Sequence, residues 1–319
     1  QAPTGGEPNL YKHRPSASHG LRGVRDLERR IAELIERRAS CPEPPSIGGE
    51  LGAFLASFIS RRRRPLVAYL GPEKSFTWEA ASSYMPEASL VAARTIGEVF
   101  AMVENGSADL GVVPFMNSLE GPVGETVDSL ATRAVRISAV LEMRIVLCLA
   151  RKGTPRVVYS HPHAIAQARR LLSSLGAQVV YTNSTAEAVK ALETCDDCGA
   201  LASPRALEGF EAQCGVEDAE SYTRFAVIST GEGGGGGRHA ALIFAVPNTP
   251  GSLYRALEPI AAAGVNMSLI YSRPTRLSPW DYFFLVELEV GDGLDGLVAA
   301  LRGRTTLLKV VGRYDVVRL

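Results

Sequence analysis

Charge of either sign is not in excess: 34 basic residues face 34 acidic ones in a chain of 319. A chain without net charge has no bulk field to gather nucleic acid or an anionic bilayer surface, so neither partner is expected. Long apolar runs are missing too. No stretch reaches the roughly 20 residues that cross a hydrocarbon core, and no secretory apolar segment opens the sequence. A soluble, cytoplasmic protein is the expectation. Cysteine is scarce, five residues in all, and an odd, thin set in a long chain argues against a disulfide framework. Cys195 and Cys198 make one CxxC with no second pair, which reads as structural or as a local disulfide rather than as a zinc site. His161 and His163 have no acidic or Cys partner at ligand spacing, so no metal is expected. No dinucleotide fingerprint is present, and the run GEGGGGGR (231–238) lacks the strand, Lys and helix start of a phosphate loop. No cofactor is expected.

What is present is mostly apolar, 46% of the chain, enough for a large core and more than one domain. Residues 1–20 are rich in Pro, Gly, Ser and His and read as disordered. Leu27, Ile31, Leu34 and Ile35, then Leu51, Phe54, Leu55, Phe58 and Ile59, recur at helical spacing and predict a helical hairpin within 21–64. From 65 to 230 the texture changes. LVAYL, SLVAA, LGVV, VRISAVL, RVVYS, QVVY, ALAS and FAVIS are β-rich runs separated by helical stretches, which predicts α/β architecture with largely parallel sheets. The glycine run 231–238 is a linker. Residues 239–319 then read as strand, helix, two strands, helix and a final strand YDVVRL, a ferredoxin-like βαββαβ sandwich. Pro259 should kink or shorten the first of its helices.

Ligands of α/β sheets bind beyond the carboxyl ends of strands, where helix N-termini offer N–H donors to anions. Five junctions fall there. YLGPEKSFTWEAA holds Ser75, Phe76 and Thr77. GVVPFMNSLEGPVGETVDSL sets Asn117 and Ser118 after a buried strand, with Gly121 and Gly124 permitting close backbone approach. YSHPHAIAQ holds Ser160, His161 and His163, and NSTAEAV holds Ser184 and Thr185. SYTRFAVIST opens a buried strand with Thr223 and Arg224. These are hydroxyls, an amide, imidazoles and one guanidinium. None makes a nucleophile with a base in sequence reach. Such a set recognises an anion, a carboxylate above all, and leaves the chemistry to substrate placement and hydrogen bonds.

Five stretches, YLGPEKSF, GVVPFMNSLEGPVGETVD, SHPHAIAQ, NSTAEA and the Thr-Arg-Phe of SYTRFAVIS, occur in an order and spacing that resemble the prephenate dehydratase family. PGSLYRAL and GVNMSLIYSRP resemble the ACT regulatory domain that follows it. The resemblance implies two α/β lobes around a cleft, like a periplasmic binding protein, and conversion of prephenate to phenylpyruvate, CO₂ and water without a cofactor. It makes Thr223 the catalytic residue. Ser75, Phe76, Asn117, Ser118, Gly121, Ser160, Ser184, Thr185, Arg224 and Phe225 become substrate-site residues, with Arg224 ordering the cleft or meeting a carboxylate. It places phenylalanine as effector against Gly251, Ser252, Leu253, Asn266, Ser268, Ser272, Arg273 and Pro274, at a subunit interface of a homodimer or homotetramer. Three positions depart from the family: Met116 and Tyr271 replace Glu, and Glu220-Ser221-Tyr222 replaces a run with Asn. The hairpin LRGVRDLERRIAELIERR superficially resembles the start of a helical chorismate mutase but is too short for that domain; a structural role is expected.

Overall fold

The computed structural model describes residues 64–231, 236–276 and 279–319. The hairpin predicted within 21–64 therefore lies, but for its last residue, outside the described residues.

The first lobe starts with β1 (Leu66–Leu70), α1 (Phe76–Tyr84), β2 (Ser89–Ala93), α2 (Ile96–Glu104) and β3 (Leu110–Asn117). β1 lies between β2 and β3, parallel to both. The helix starts follow from the sequence. Ser75 caps α1 by accepting from Trp78 N at 3.3 Å, and Thr95 caps α2 by accepting from Glu98 N at 3.1 Å. After β3 come a short β4 (Gly121–Pro122), α3 (Gly124–Thr132) and β5 (Arg136–Ile145). The chain then crosses to a second, five-stranded lobe. This contains β6 (Cys148–Arg151), β7 (Val157–Ser160), α4 (Pro162–Gln167), α5 (Arg169–Leu175), β8 (Gln178–Tyr181), α6 (Thr185–Val189), α7 (Ala191–Thr194), β9 (Cys198–Ala202) and β10 (Ala212–Cys214), in sheet order β10-β6-β9-β7-β8. It returns through β11 (Ser221–Ser229), which inserts between β5 and β3 of the first lobe.

The expectation of largely parallel sheets needs correction. β11 runs antiparallel to both neighbours, and β6 is antiparallel to β9 and β10. The reason is the double crossing: a strand that returns from the second lobe enters the first from the opposite end. The β6 and β10 runs, CLAR and AQC, were too short to read as strands.

The C-terminal unit has the βαββαβ order foreseen: β12 (His239–Ala245), α8 (Ser252–Ala262), β13 (Asn266–Pro274), β14 (Tyr282–Glu289), α9 (Leu294–Arg302) and β15 (Leu307–Tyr314). Its last strand is LLKVVGRY, not YDVVRL. Residues beyond Tyr314 form β16 (Val316–Arg318), which pairs parallel with β5 of the first lobe. With the β15–β5 pairing this merges the two sheets into one of eleven strands. The core between them joins Val127, Leu130, Val140 and Ala226 to Ile243, Leu285 and Val311.

Pro259 does not break α8. The carbonyl it strands, that of Arg255, accepts instead from Arg304 Nη1 at 2.8 Å. The disulfide expectation is also corrected. Cys148 and Cys214, opposed in register on β6 and β10, are bonded, whereas the bond between Cys195 and Cys198 is the local disulfide that the CxxC allowed. A 66-residue separation hid the first pair from any spacing argument.

Candidate active site

β11 alternates, so Ser221, Thr223 and Phe225 share one face and Tyr222 and Arg224 the other. Opposite it, β3 carries a bulge at Phe115: Thr223 pairs with Asn117, Arg224 with Met116, and Phe225 with Pro114. The extra residue brings Pro114 and Asn117, three apart in sequence, onto the same face as Thr223. That face opens on a cavity of about 230 Å³ between the lobes.

The first lobe contributes Ser75, Phe76, Thr77, Asn117, Thr223 and Phe225 to its wall, and the second contributes His161, Asn183, Ser184 and Thr185. The starts of α1, α4 and α6 meet there. A helix start presents unbonded N–H groups and the positive end of a dipole. No lining residue is formally charged at neutral pH. The site can therefore hold carboxylates by dipoles and hydroxyls while leaving them poorly solvated.

Asn117 organises the reactive end. Its Oδ1 accepts from the N–H groups of Leu119 and Glu120, at 2.9 and 3.1 Å. That orientation turns Nδ2 inward, where it donates to Ser221 Oγ and Thr223 Oγ1, each at 3.0 Å. Because Thr223 Oγ1 already accepts, its own proton is available to the cavity. An amide donor does not make a hydroxyl more nucleophilic, so this pairing suits hydrogen-bond donation to a leaving oxygen, not attack.

His161 caps α4, its Nδ1 accepting from His163 N at 3.3 Å. The other nitrogen then carries the proton. Burial holds the imidazole below its usual range, so it is neutral at pH 7. His163 and Arg205 of the second lobe reach across to the first. His163 Nδ1 meets Glu120 Oε2. Arg205 lies over the Trp78 ring at 4.8 Å and donates to Ser82 Oγ at 3.4 Å.

The structure brings Ser75, Phe76, Asn117, Ser184, Thr185, Thr223 and Phe225 together. It separates the other predicted substrate residues. Ser160 is buried and donates to Leu201 O at 2.6 Å. Ser118 Oγ accepts from Tyr222 N at 2.9 Å and lines the cleft on the opposite face. Gly121, at φ +81°, forms the left-handed turn into β4 and does not line the cavity. Arg224 faces away from Thr223, and the carboxylates it meets are the protein's own Glu142 and Glu287. Met116 lies on that same far face, so its departure from the family does not touch the Thr223 cavity. Ser221, inside the departing run 220–222, is an acceptor in the Asn117 network.

Thr77 and His161, read from sequence as junction residues but not among the substrate residues that the resemblance implies, line the wall too, as does Asn183, which sequence did not single out. The signal was present, since each neighbours an assigned residue at a helix start.

The effector candidates are dispersed within one chain. Ser252 and Leu253, at the start of α8 beyond the left-handed Gly251, line a cavity of about 130 Å³ with Trp280 and Tyr282. Asn266 donates to Glu289 at 3.0 Å, and Ser268 to the Glu287 carbonyl at 3.3 Å. Ser272 and Pro274 are exposed on β13, an edge strand. Arg273 turns to the first lobe, its Nε on Asp128 Oδ1 at 2.9 Å, and lies so close over Gly124 that a Cβ there would come within 2.6 Å of Nη1. This is the close approach that glycine permits. Tyr271 packs against the first-lobe core on that same side.

Two α/β lobes meeting on an uncharged, hydroxyl-lined cavity, with a βαββαβ unit fused to one of them, define a two-lobed protein with a site for a small carboxylate and a second, ferredoxin-like module. A family model for prephenate dehydratase matches residues 67–232, and one for the ACT domain matches 240–304. The chain belongs to the prephenate dehydratase family. It is 34% identical to a bifunctional chorismate mutase/prephenate dehydratase of Aquifex aeolicus, over 82% of this chain and 76% of that one. It is 33% identical to the protein of that description from Neisseria gonorrhoeae, over 95% and 90%. Among solved structures, the Arthrobacter aurescens prephenate dehydratase in complex with L-Phe superposes with a TM-score of 0.71 at 26% identity, covering 78% of this chain and 90% of that one. A structure described as a novel type of quorum quenching acylase reaches 0.70 at 28% identity, covering 78% and 97%.

Proposed function

We propose that this chain converts prephenate to phenylpyruvate, CO₂ and water, with Thr223 as the catalytic residue. The observation that carries the reading is the bond from Asn117 Nδ2 to Thr223 Oγ1, which makes the hydroxyl an acceptor toward Asn117 while Thr223 lines the cavity, so that its proton is free to be donated there. Prephenate has two carboxylates and a C4 hydroxyl. When the ring carboxylate leaves as CO₂, its bonding pair enters the ring. The C4–O bond breaks, and the oxygen departs as hydroxide that takes a proton from solvent. Thr223 donates a hydrogen bond to that oxygen as charge grows on it. The uncharged wall leaves the ring carboxylate little solvated, which favours its loss. The helix starts and His161, a neutral donor, hold the pyruvyl carboxylate. No step needs a strong base.

An acylase activity, the one named for one structural relative, would call for an activated nucleophile. The amide donor on Thr223 disfavours that reading. The relatives named as bifunctional carry a mutase activity as well. Residues 21–63, whose sequence superficially resembles the start of such a domain, lie outside the described residues.

Phenylalanine is the expected effector, acting through the ACT unit. With the candidate residues dispersed in one chain and β13 left as an open edge, a complete pocket needs a second copy, which supports a homodimer. The test of activity is phenylpyruvate formation from prephenate by the purified protein. Thr223→Val should lower kcat by about 100-fold or more, the cost of one such donor, whereas Thr223→Ser should retain most of it. Equal rates for Thr223→Val and the unaltered protein would contradict the assignment. Sedimentation with and without phenylalanine should give a dimer; a monomer in both would contradict the shared pocket.

A further inference from the structure

The residue next to Thr223 enters a cluster that the cavity does not use. Arg224 lies directly opposite Glu142 on β5, and its Nε donates to Glu142 Oε2 at 2.8 Å. Its Nη1 reaches across to the ACT unit and donates to both oxygens of Glu287, at 3.2 and 3.4 Å. Glu287 sits on β14 and is 1% exposed. His239 Nδ1 stands 3.6 Å from it, and the buried Tyr314 hydroxyl beside it has no hydrogen-bond partner. Glu289 lies two residues on, and Arg318 on β16 holds the second oxygen of Glu142 at 3.2 Å. Arg224 is thus held by one carboxylate of its own lobe and one of the regulatory unit.

A buried carboxylate is costly unless a cation faces it. A strand that can yield to solvent on one side has no need of one. Burial raises the proton affinity of Glu287 and the Arg224 guanidinium opposes that rise. The pair is therefore made only while β14 of the ACT unit stays packed against the Arg224 side of β11. Thr223 and Arg224 share one peptide link, so any shift of Glu287 against β5 is delivered to the backbone that aims the Thr223 hydroxyl.

We propose that Arg224 is a positioning residue for Thr223, and that the buried Glu287 of the ACT unit is the handle by which that unit acts on turnover. This inference rests on the dehydratase reading. It differs from contact of Arg224 with substrate: the guanidinium acts from the far face of the strand.

The test uses the full chain with Glu287→Gln, which keeps shape and one acceptor but removes the charge. Asp295→Asn, exposed on α9, is the control. Expected for Glu287→Gln are a fall in kcat of about tenfold with KM for prephenate within about twofold, and a phenylalanine effect on kcat close to one while calorimetry still detects phenylalanine binding. Amide hydrogen exchange of the peptide 221–226 should quicken in the variant, whether or not substrate is turned over. Arg224→Lys, which keeps the charge but loses the fork, should fall between the two and serves if Glu287→Gln does not fold. Unchanged kcat and an unchanged phenylalanine response in Glu287→Gln overturn the inference while leaving the activity intact. Absence of phenylpyruvate from the unaltered protein contradicts the activity itself. The exchange measurement then still decides the tie: unchanged protection of 221–226 overturns it.

Discussion

Thr223 shows how far a single residue type can be read. A hydroxyl at the start of an otherwise apolar strand needs a reason, and the reason is the cavity it faces. Ser75, Asn117, Ser184 and Thr185 were legible for the same cause, each standing at a strand end or helix start. Arg224, Ser118 and Ser160 were not. Their neighbours in sequence line the cavity, but a strand sends successive side chains to opposite faces, and which face meets a cleft depends on the partner strand. Glu287 is the clearest case. Its alternation with Val286 and Leu288 reads as a wet face, yet it is buried against Arg224 of β11. His161 carries a pH prediction. Its folded proton affinity is depressed by burial, so as pH falls below about 6.5 the unfolded chain takes up the proton first. Stability is full above that value and is lost as pH falls through the folded one. Thermal melts of His161→Gln between pH 7 and 5 should decline less steeply than those of the unaltered protein. Parallel curves would show that the imidazole is not held neutral.

At the scale of elements, α8 tests local against tertiary control. Pro259 predicts a kink because it removes a donor, and sequence offers no sign of the replacement, Arg304, 45 residues away on the far side of α9. Arg304→Ala removes this hydrogen bond and an exposed ion pair with Glu258 and should cost about 0.5–1.5 kcal/mol, seen as a drop in Tm of about 1–5 °C; Glu258→Gln, which removes the ion pair alone, is the control. No change would mean that water serves the Arg255 carbonyl equally well. The β3 bulge teaches the same lesson. Pro114 and Phe115 are visible in the sequence, but the register they impose on β11 belongs to the pair of strands. Strand existence was legible wherever a run exceeded four apolar residues; direction was not, because no residue records from which lobe the chain returns.

Across the whole molecule the linker at 231–238 reads as a separation between two domains, whereas β15 and β16 join the ACT sheet to β5. Further ties gather on α3. Arg273 binds Asp128 at its middle, and Lys309 Nζ donates to the Leu130 carbonyl at 2.6 Å near its end. The βαββαβ order of the C-terminal unit was legible from texture; its union with the first lobe was not, because it rests on long-range pairs between residues unremarkable by themselves. A regulatory unit so joined has a direct mechanical route to β11. The central claim remains the chemistry at Thr223. The most direct test is the formation of phenylpyruvate from prephenate by the unaltered protein and by Thr223→Val, each with and without phenylalanine. The account predicts turnover by the first, a loss of about 100-fold or more in the second, and a response to phenylalanine in the first. Turnover that is absent from both, or equal in both, would contradict it.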